Sequence, residues 1–494
     1  MGEAPADLSA MISAVETPMA ASMMLGGAET VVNLSVLNGA NPAPPVGWGP
    51  IHGLSDTLIG DAYARRASAP WAAAYDKMMT AGVAVAVSGV RPDTDFATSA
   101  PFTPAPTPIL EDIVTGAGGK NNESWQLQPF KDDAIAAYTQ ALLWHMTGIT
   151  QHKTNATNIV NAWAGTLTTV EGRNQNTPSG VGGIEAAKLA CAWAAPMWAR
   201  ALDLLRRAGV NVSGMLGVLR TVVYPQIDWT GAGNPIMSMA DARLNLAAVL
   251  RDEMLFDAAV DYLNYRIAGS FTLASDTLAM RQPVDYYYPT LPETGGLFIA
   301  GQGVSTADQV AQWWYFTNDA SSNYVDGLGK ENGRDISHTI MGLAAISNAF
   351  STAQACGVDL FVTHQARMVA TLELQAAWIR EALWKQQVQG WSEATMNAAG
   401  WKPVGRYGPT GAADNTGQGW VVNPAWNWGG TGYRTGWEVF YAHYAERLST
   451  PLPNVKLLLN GWTDGVETIT GLRSLVARAT NHTAYDQFTH AANV

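Results

Sequence analysis

The stretch "GGIEAAKLACAWAAPMWARALDLLRRAGV", residues 182–210, decides the fold class. Its apolar residues recur at helical spacing, and it closes on Arg206, Arg207 and Gly209, the basic turn and glycine that helix ends prefer. Upstream, "DDAIAAYTQALLWHMTG" (132–148) shows the same period and stops at Gly148, a C-cap residue; "TNATNIVNAWAGTL" (154–167) follows it. Downstream, "SMADARLNLAAVL" (238–250) opens on Ser238 with Asp241 three residues later, an acid-bearing variant of the capping box. The series continues with "DEMLFDAAVDYLNYRI" (252–267), "ISHTIMGLAAISNAFSTAQACG" (336–357), "HQARMVATLELQAAWIREALW" (364–384) and "GWEVFYAHYAERL" (436–448). Strand alternation is scarce, and no Gly-rich loop joins a strand to a helix. The expected fold is all-α, helical hairpins around one core. A ring of such hairpins, an (α/α) toroid or incomplete helical-hairpin barrel, would fold this length as one domain. Residues 1–60 lack clear periodicity and read as an irregular segment packed on a single domain spanning 61–494.

The 494 residues include 19 Trp and 48 Gly and are 47% hydrophobic, which fits a large aromatic-rich globule and excludes a disordered chain. A formal charge of −12 argues against nucleic acid as a partner, because such proteins need a basic footprint; an anionic ligand in a locally positive cleft stays open. No run of about 18 apolar residues occurs, so no membrane partner is expected. The N-terminal stretch has no basic region and is broken by Glu16, so no signal peptide is visible. Five Asn-x-Ser/Thr sites (Asn33, Asn122, Asn155, Asn211, Asn481) are about what this composition gives by chance and decide nothing. Cys191 and Cys356 lack metal-ligand spacing and read as two buried helical thiols.

Two long segments between helices, roughly 268–330 and 385–435, carry "VDYYYPTLPETGG", "QWWYFTNDASSNYVDG" and "GWVVNPAWNWGGTGYRTGW". Long loops of this kind commonly wall a binding site. Rings flanked by Gly, Asn and Asp suit flat polar ligands such as sugars, although core packing is the alternative use of the same rings.

Only 14% of the chain is charged, yet "KENGRDISHTIMG" (330–342) gathers two acids, an arginine and a histidine before an apolar run. In a helix, Arg334 and His338 are i,i+4 neighbours and Asp335 is i,i+3 to His338. A cation in a first helical turn opposes the dipole, so Arg334 needs a partner: Glu331, Asp335 or a bound carboxylate. Separately, "GAGNPIMSMAD" (231–241) places Asn234 in a Gly/Pro turn ahead of a helix, where an amide and backbone N–H groups face outward toward an anion. Turn chemistry alone also explains an Asn there.

The segment from Arg334 to Leu360 resembles a helix of the alginate lyase-like superfamily that starts near a catalytic Arg and ends in a Gly-Val-Asp-Leu-type cap. "GNPIMSMADARLNLAAVLRDEMLFDAAVDY" (233–262) is similar to the family helix that begins with a catalytic Asn. "SAPWAAAYDKM", "TQALLWHMTG" and "WEVFYAHYAERL" also fit, so the likeness covers roughly residues 50–450. The resemblance implies a polysaccharide lyase on an (α/α) toroid, with Asn234 neutralising a uronate carboxylate and Arg334 assisting. Two positions depart from polysaccharide lyase family 5: Pro235 stands where a His follows the Asn, and Met341 where a Tyr stands seven residues after the Arg. The Glu-x-Gly-Arg-Asp-x-x-His form, Glu331 to His338, looks closer to polysaccharide lyase family 38.

The implied reaction is β-elimination at a 4-linked uronic acid of alginate or glucuronan type. His338 is the first choice for one proton-transfer role. The tyrosine comes from a loop, with Tyr324, Tyr288 and Tyr433 as candidates in falling order. Expected substrate contacts are Glu331, Asp335, Arg173, Asn176, Trp428, Tyr433 and Trp437, with Glu331 and Asp335 also orienting Arg334 and His338. No cofactor or metal is called for, the partner is an anionic polysaccharide, and a secreted or periplasmic monomer is expected. The rivals are a glycoside hydrolase, which would need two facing carboxylates among residues such as Glu331, Asp335, Asp326 and Asp285, and a noncatalytic carbohydrate-binding protein.

Overall fold

The computed structural model describes residues 21–25, 28–32, 43–80, 104–111, 114–115, 119–120, 127–171, 186–227, 234–271, 273, 275, 326–327, 329, 336–392, 395, 436–473 and 486–491. Helices dominate them. In chain order they are α1 (Asp56–Ala64), α2 (Trp71–Thr80), α3 (Leu127–Thr147), α4 (Thr150–Ala164), α5 (Ala186–Arg207), α6 (Ser213–Val218) and α7 (Asn234–Leu250). There follow α8 (Glu253–Ser270), α9 (Ile336–Ala355), α10 (Leu360–Thr363), α11 (Gln365–Gln387), α12 (Trp437–Tyr441), α13 (Pro453–Asn460) and α14 (Asp486–Thr489).

The strands are short: β1 (Ala21–Leu25), β2 (Ala28–Val32), β3 (Ile109–Glu111), β4 (Val114–Thr115), β5 (Gly119–Lys120), β6 (Thr169–Glu171), β7 (Gly461–Thr463) and β8 (Thr468–Thr470). They pair only two at a time, antiparallel for β1–β2, β4–β5 and β7–β8 and parallel for β3–β6. The N-terminal stretch expected to be irregular therefore holds a hairpin and most of α1.

Burial separates the helices into two layers. Nearly every described side chain of α3, α5, α7 and α9 is buried, whereas α4 buries one stripe: His152, Asn155, Ala156, Ile159, Val160 and Trp163. A helix buried all round has neighbours on every side, and one with a stripe has them on one side. The inner helices pack in succession, α3 on α5, α5 on α7 and α7 on α9; α9 meets α12, α12 meets α14, α14 meets α1 and α1 returns to α3. The outer helices α4 and α8 lie on α3 and α7. The all-α class expected from the helical periodicity, and the toroid that the resemblance implies, are the observed architecture.

The inner helices run parallel, as the residues that meet show. Lys131 lies over Trp193, Arg200 lies over Tyr138, and His145 meets the Leu204 carbonyl; Arg206 reaches Val249, and Asp241 and Asn245 meet Asn348 and Thr352. Their N-termini therefore share one end of the ring. Inner-to-outer links are brief (148–149, 208–212, 251–252, 356–359), while outer-to-inner segments are longer (165–185, 227–233, 271–335, 388–436). All the longer segments thus attach where the inner helices begin. The opposite end is closed by residues 49–56: Gly49 donates to the Ala355 carbonyl at 2.6 Å, the His52 N–H donates to Thr352 Oγ1 at 3.2 Å, and Arg207 reaches Leu54 O and Asp56 at 2.7 and 2.6 Å.

Local signals placed several boundaries. Gly148 and Gly209 take positive φ of 70° and 78° just past α3 and α5, as C-terminal caps require. Helix α5 passes straight through Pro196, which lacks the N–H for the Ala192 carbonyl. Side-chain burial on both faces of α5 offsets that loss. The two cysteines are free and buried, and burial pushes both thiols up to about 12.

Candidate active site

Helix α7 begins five residues earlier than a capping box at Ser238 would require. Asn234 is its first residue and Pro235 its second, a position where the missing N–H costs nothing. The Ser238 hydroxyl turns back onto the Asn234 carbonyl at 3.0 Å, and Asp241 lies in the helix interior. The capping-box expectation fails because the hydroxyl found an acceptor within its own helix.

Asn234 is only 3% exposed and packs against α9. A methyl group on Gly342 would lie 3.7 Å from both Cα and Cβ of Asn234. Position 338 is one helical turn before Gly342, about 6 Å along the axis. The first turn of α7 and the first two turns of α9 thus meet at the end of the ring that carries the longer segments. The backbone of His338 belongs to α9, but its side chain lies outside the described residues. Arg334, Glu331, Asp335, Tyr324, Tyr288, Arg173, Asn176, Trp428 and Tyr433 also lie outside them.

Trp437 is described, and its place differs from the ligand-facing one expected. It is 2% exposed in the core at the start of α12. The cause is the residue before it: Gly436, with φ of 85°, approaches α9 so closely that a Cβ there would lie 2.9 Å from Ser347 Oγ. That approach carries the following ring inward.

Below Asn234 runs a buried polar ladder that no motif in the sequence marks. Asp241 accepts from Asn245 Nδ2 at 2.7 Å and from Asn348 Nδ2 at 3.1 Å, and Arg200 of α5 donates to Asn348 Oδ1. Thr352 donates to Asn245 Oδ1 at 2.8 Å and accepts the His52 N–H. All six residues are fully buried. The signal was present as Asn234, Ser238, Asp241 and Asn245 at i, i+4, i+7 and i+11, a polar stripe in an apolar helix. Buried polar atoms demand partners, so this ladder fixes the register of α7 against α9 and with it the height of Asn234.

Histidines gather at the closed end. His52 stacks edge-on against His490 with centroids 4.6 Å apart, and burial, helped by Arg200 and His443, pushes its pKa well below the ordinary value. His443 lies flat on Phe361 at 3.9 Å, and burial with the Arg447 cation brings it down to about 4. Both are neutral at pH 7. Among the described residues no three His, Cys, Asp or Glu side chains gather to hold a metal, and no described helix is long and apolar enough to cross a membrane.

The class that these observations define is an all-α toroid with an amide at the start of one inner helix facing the start of the next. No protein-family model matches the chain, and no curated protein matches it. Among solved structures, an alginate lyase from Bacteroides ovatus aligns with 72% of this chain and 90% of its own at 12% identity, with a TM-score of 0.39.

Proposed function

We propose that the protein is a polysaccharide lyase acting on a 4-linked uronic acid polymer of alginate or glucuronan type. The observation that carries this reading is the packing of Asn234 against Gly342, one turn from His338, because it joins the two motifs whose pattern resembles the uronate lyases.

In this reading the C5 proton of the uronate is scarcely acidic while the adjacent carboxylate is charged. Asn234 and Arg334 stabilise the enolate-like charge that builds on that carboxylate, a preorganised electrostatic role. His338 or an ionised tyrosine takes the C5 proton, the electron pair forms the C4–C5 double bond, and the C4–O4 bond breaks. A tyrosine hydroxyl, from Tyr324, Tyr288 or Tyr433, protonates the leaving O4. Glu331 and Asp335 orient the cation and the imidazole, and Arg173, Asn176, Trp428 and Tyr433 contact the chain. A polymeric substrate fits a secreted or periplasmic protein.

The test is incubation with a panel of uronans while ultraviolet absorbance is followed. Elimination creates an absorbing C4–C5 double bond and hydrolysis does not. Arg334→Ala and His338→Ala are each expected to lose most turnover with the helical circular dichroism unchanged. Reducing ends released without absorbance would transfer the reading to a glycoside hydrolase, and binding with neither would transfer it to a noncatalytic protein.

A further inference from the structure

The end of α11 and the hairpin β7–β8 build a surface that the proposed reaction does not use. The sequence there is "WKQQVQGW", residues 384–391. After α11 the chain turns at Gly390, with φ of 67°, and the Trp391 N–H donates to the Lys385 carbonyl at 3.1 Å. The Lys385 ammonium consequently lies 5.5 Å from the centre of the Trp384 ring and 4.5 Å from that of Trp391, and it donates to Gln389 Oε1 at 3.0 Å. One turn before Trp384 on α11, the Arg380 guanidinium lies 4.6 Å from the Trp462 ring on β7 and donates to Asn454 at 2.6 Å.

The two parts are locked together. Trp384 Nε1 donates to Asp464 Oδ2 at 2.6 Å, and Gln387 exchanges hydrogen bonds with the Thr470 backbone at 2.8 and 3.0 Å. All three tryptophans are half-buried, so each keeps part of its surface in water. Cations held against rings by about 0.5–1 kcal/mol stay charged and aimed.

We infer that the Trp384–Trp391–Trp462 surface binds an acidic polysaccharide chain through residues other than those of the candidate active site. Sugar C–H faces pack on indole rings, carboxylates pair with Lys385 and Arg380, and the amides of Gln386 and Gln389 suit hydroxyls. Cations and amides between the rings leave no continuous apolar face of the kind that forms the core of a protein interface. Glu373 acts on Arg380 and accepts from the Asn454 that Arg380 also holds, and Asp464 accepts from Trp384, so the acidic ligand must be recognised by pairing at the two cations rather than by a net positive field. The ligand class rests on the function proposed above; the surface itself does not.

Native gel electrophoresis of the full chain through polyuronate, through a neutral glucan and without polysaccharide tests it. The chain carries His338→Ala throughout, so the polymer stays intact. Retardation in polyuronate is expected, with affinity about tenfold weaker in Trp391→Ala and in Lys385→Gln. Lys385→Gln removes charge from a half-buried side chain while keeping most of its length, so it decides the matter if a tryptophan variant misfolds. Equal retardation of Lys385→Gln and its parent, equal retardation in neutral glucan, or none in polyuronate would each overturn the inference. Separately, ultraviolet-absorbing product from the chain without these substitutions reports on the lyase reading, so either idea fails without the other.

Discussion

Asn234 and Gly342 form the contact on which the proposed chemistry rests, and the two residues predict different things. If Asn234 is a main stabiliser of developing charge, Asn234→Ala raises the barrier by about 2.7–4 kcal/mol, seen as a fall in kcat with little change in circular dichroism. Gly342 has room for one methyl, because its nearest atoms on Asn234 and Met237 would lie at an ordinary 3.7 Å. Gly342→Ala is therefore expected to keep activity and to gain about 0.5–1 kcal/mol from a stiffer unfolded chain, read as a higher denaturation midpoint. Gly342→Leu has no such room. It drives Asn234 off its place, and turnover should fall about 100-fold while the helices persist. Equal activity in the leucine variant would separate Asn234 from the reaction.

At the scale of elements, the polar ladder holds α7 and α9 in register. Thr352 both donates to Asn245 and accepts from the His52 backbone, so Thr352→Val strands two buried polar groups at nearly constant volume. The expected cost is about 1–3 kcal/mol for each group left without its partner, measured as a lower urea midpoint at unchanged slope. Part of this scaffold was legible in sequence. Gly148 and Gly209 ended helices as read, because a positive φ past the last turn leaves a glycine where few other residues fit. The start of α7 was misplaced, since a serine's choice between capping and bonding its own helix depends on what surrounds it. The ladder escaped notice for a related reason: an inner helix faces neighbours on both sides, and its polar stripe is short against the apolar background. The motifs that hold Asn234 and Gly342 stand out locally, but the meeting of their helices depends on contacts between residues more than 100 positions apart. The burial of Trp437 is not legible in sequence, because it is set by the close approach of Gly436 to α9, which no spacing records.

For the whole molecule, the two ends of the ring answer acid differently. His52 bridges residues 49–54 to α9, His443 lies on Phe361 at the α9–α10 turn, and His364 begins α11 with its Nε2 2.8 Å from Asn264 Oδ1. Burial lowers all three pKa values, to about 4 for His443 and His364, assisted by Arg447 and Arg367 respectively. A histidine whose pKa is depressed in the fold binds its proton sooner in the unfolded chain. Its contribution is complete above about pH 6.5 and is lost as the pH falls toward the folded value, at up to about 1.4 kcal/mol per pH unit for each ring. Burial raises Asp203 and Glu446, which act in the opposite sense as the pH falls through their raised values toward the ordinary carboxylate range; Asp359, held down by its hydrogen bonds with Arg447 and the Val362 N–H, loses its contribution only below that range. The urea midpoint should therefore fall steadily from pH 7 to pH 5, and His364→Gln should flatten the slope by about 1.4 kcal/mol per pH unit. Hydrogen exchange should place the first acid-induced opening at Gly49–Leu54 and the start of α11, ahead of the α7 and α9 N-termini. A midpoint independent of pH across that range would mean that these rings are solvated in the folded chain. The same result would remove the basis for expecting the closed end of the ring to yield before the end that carries Asn234.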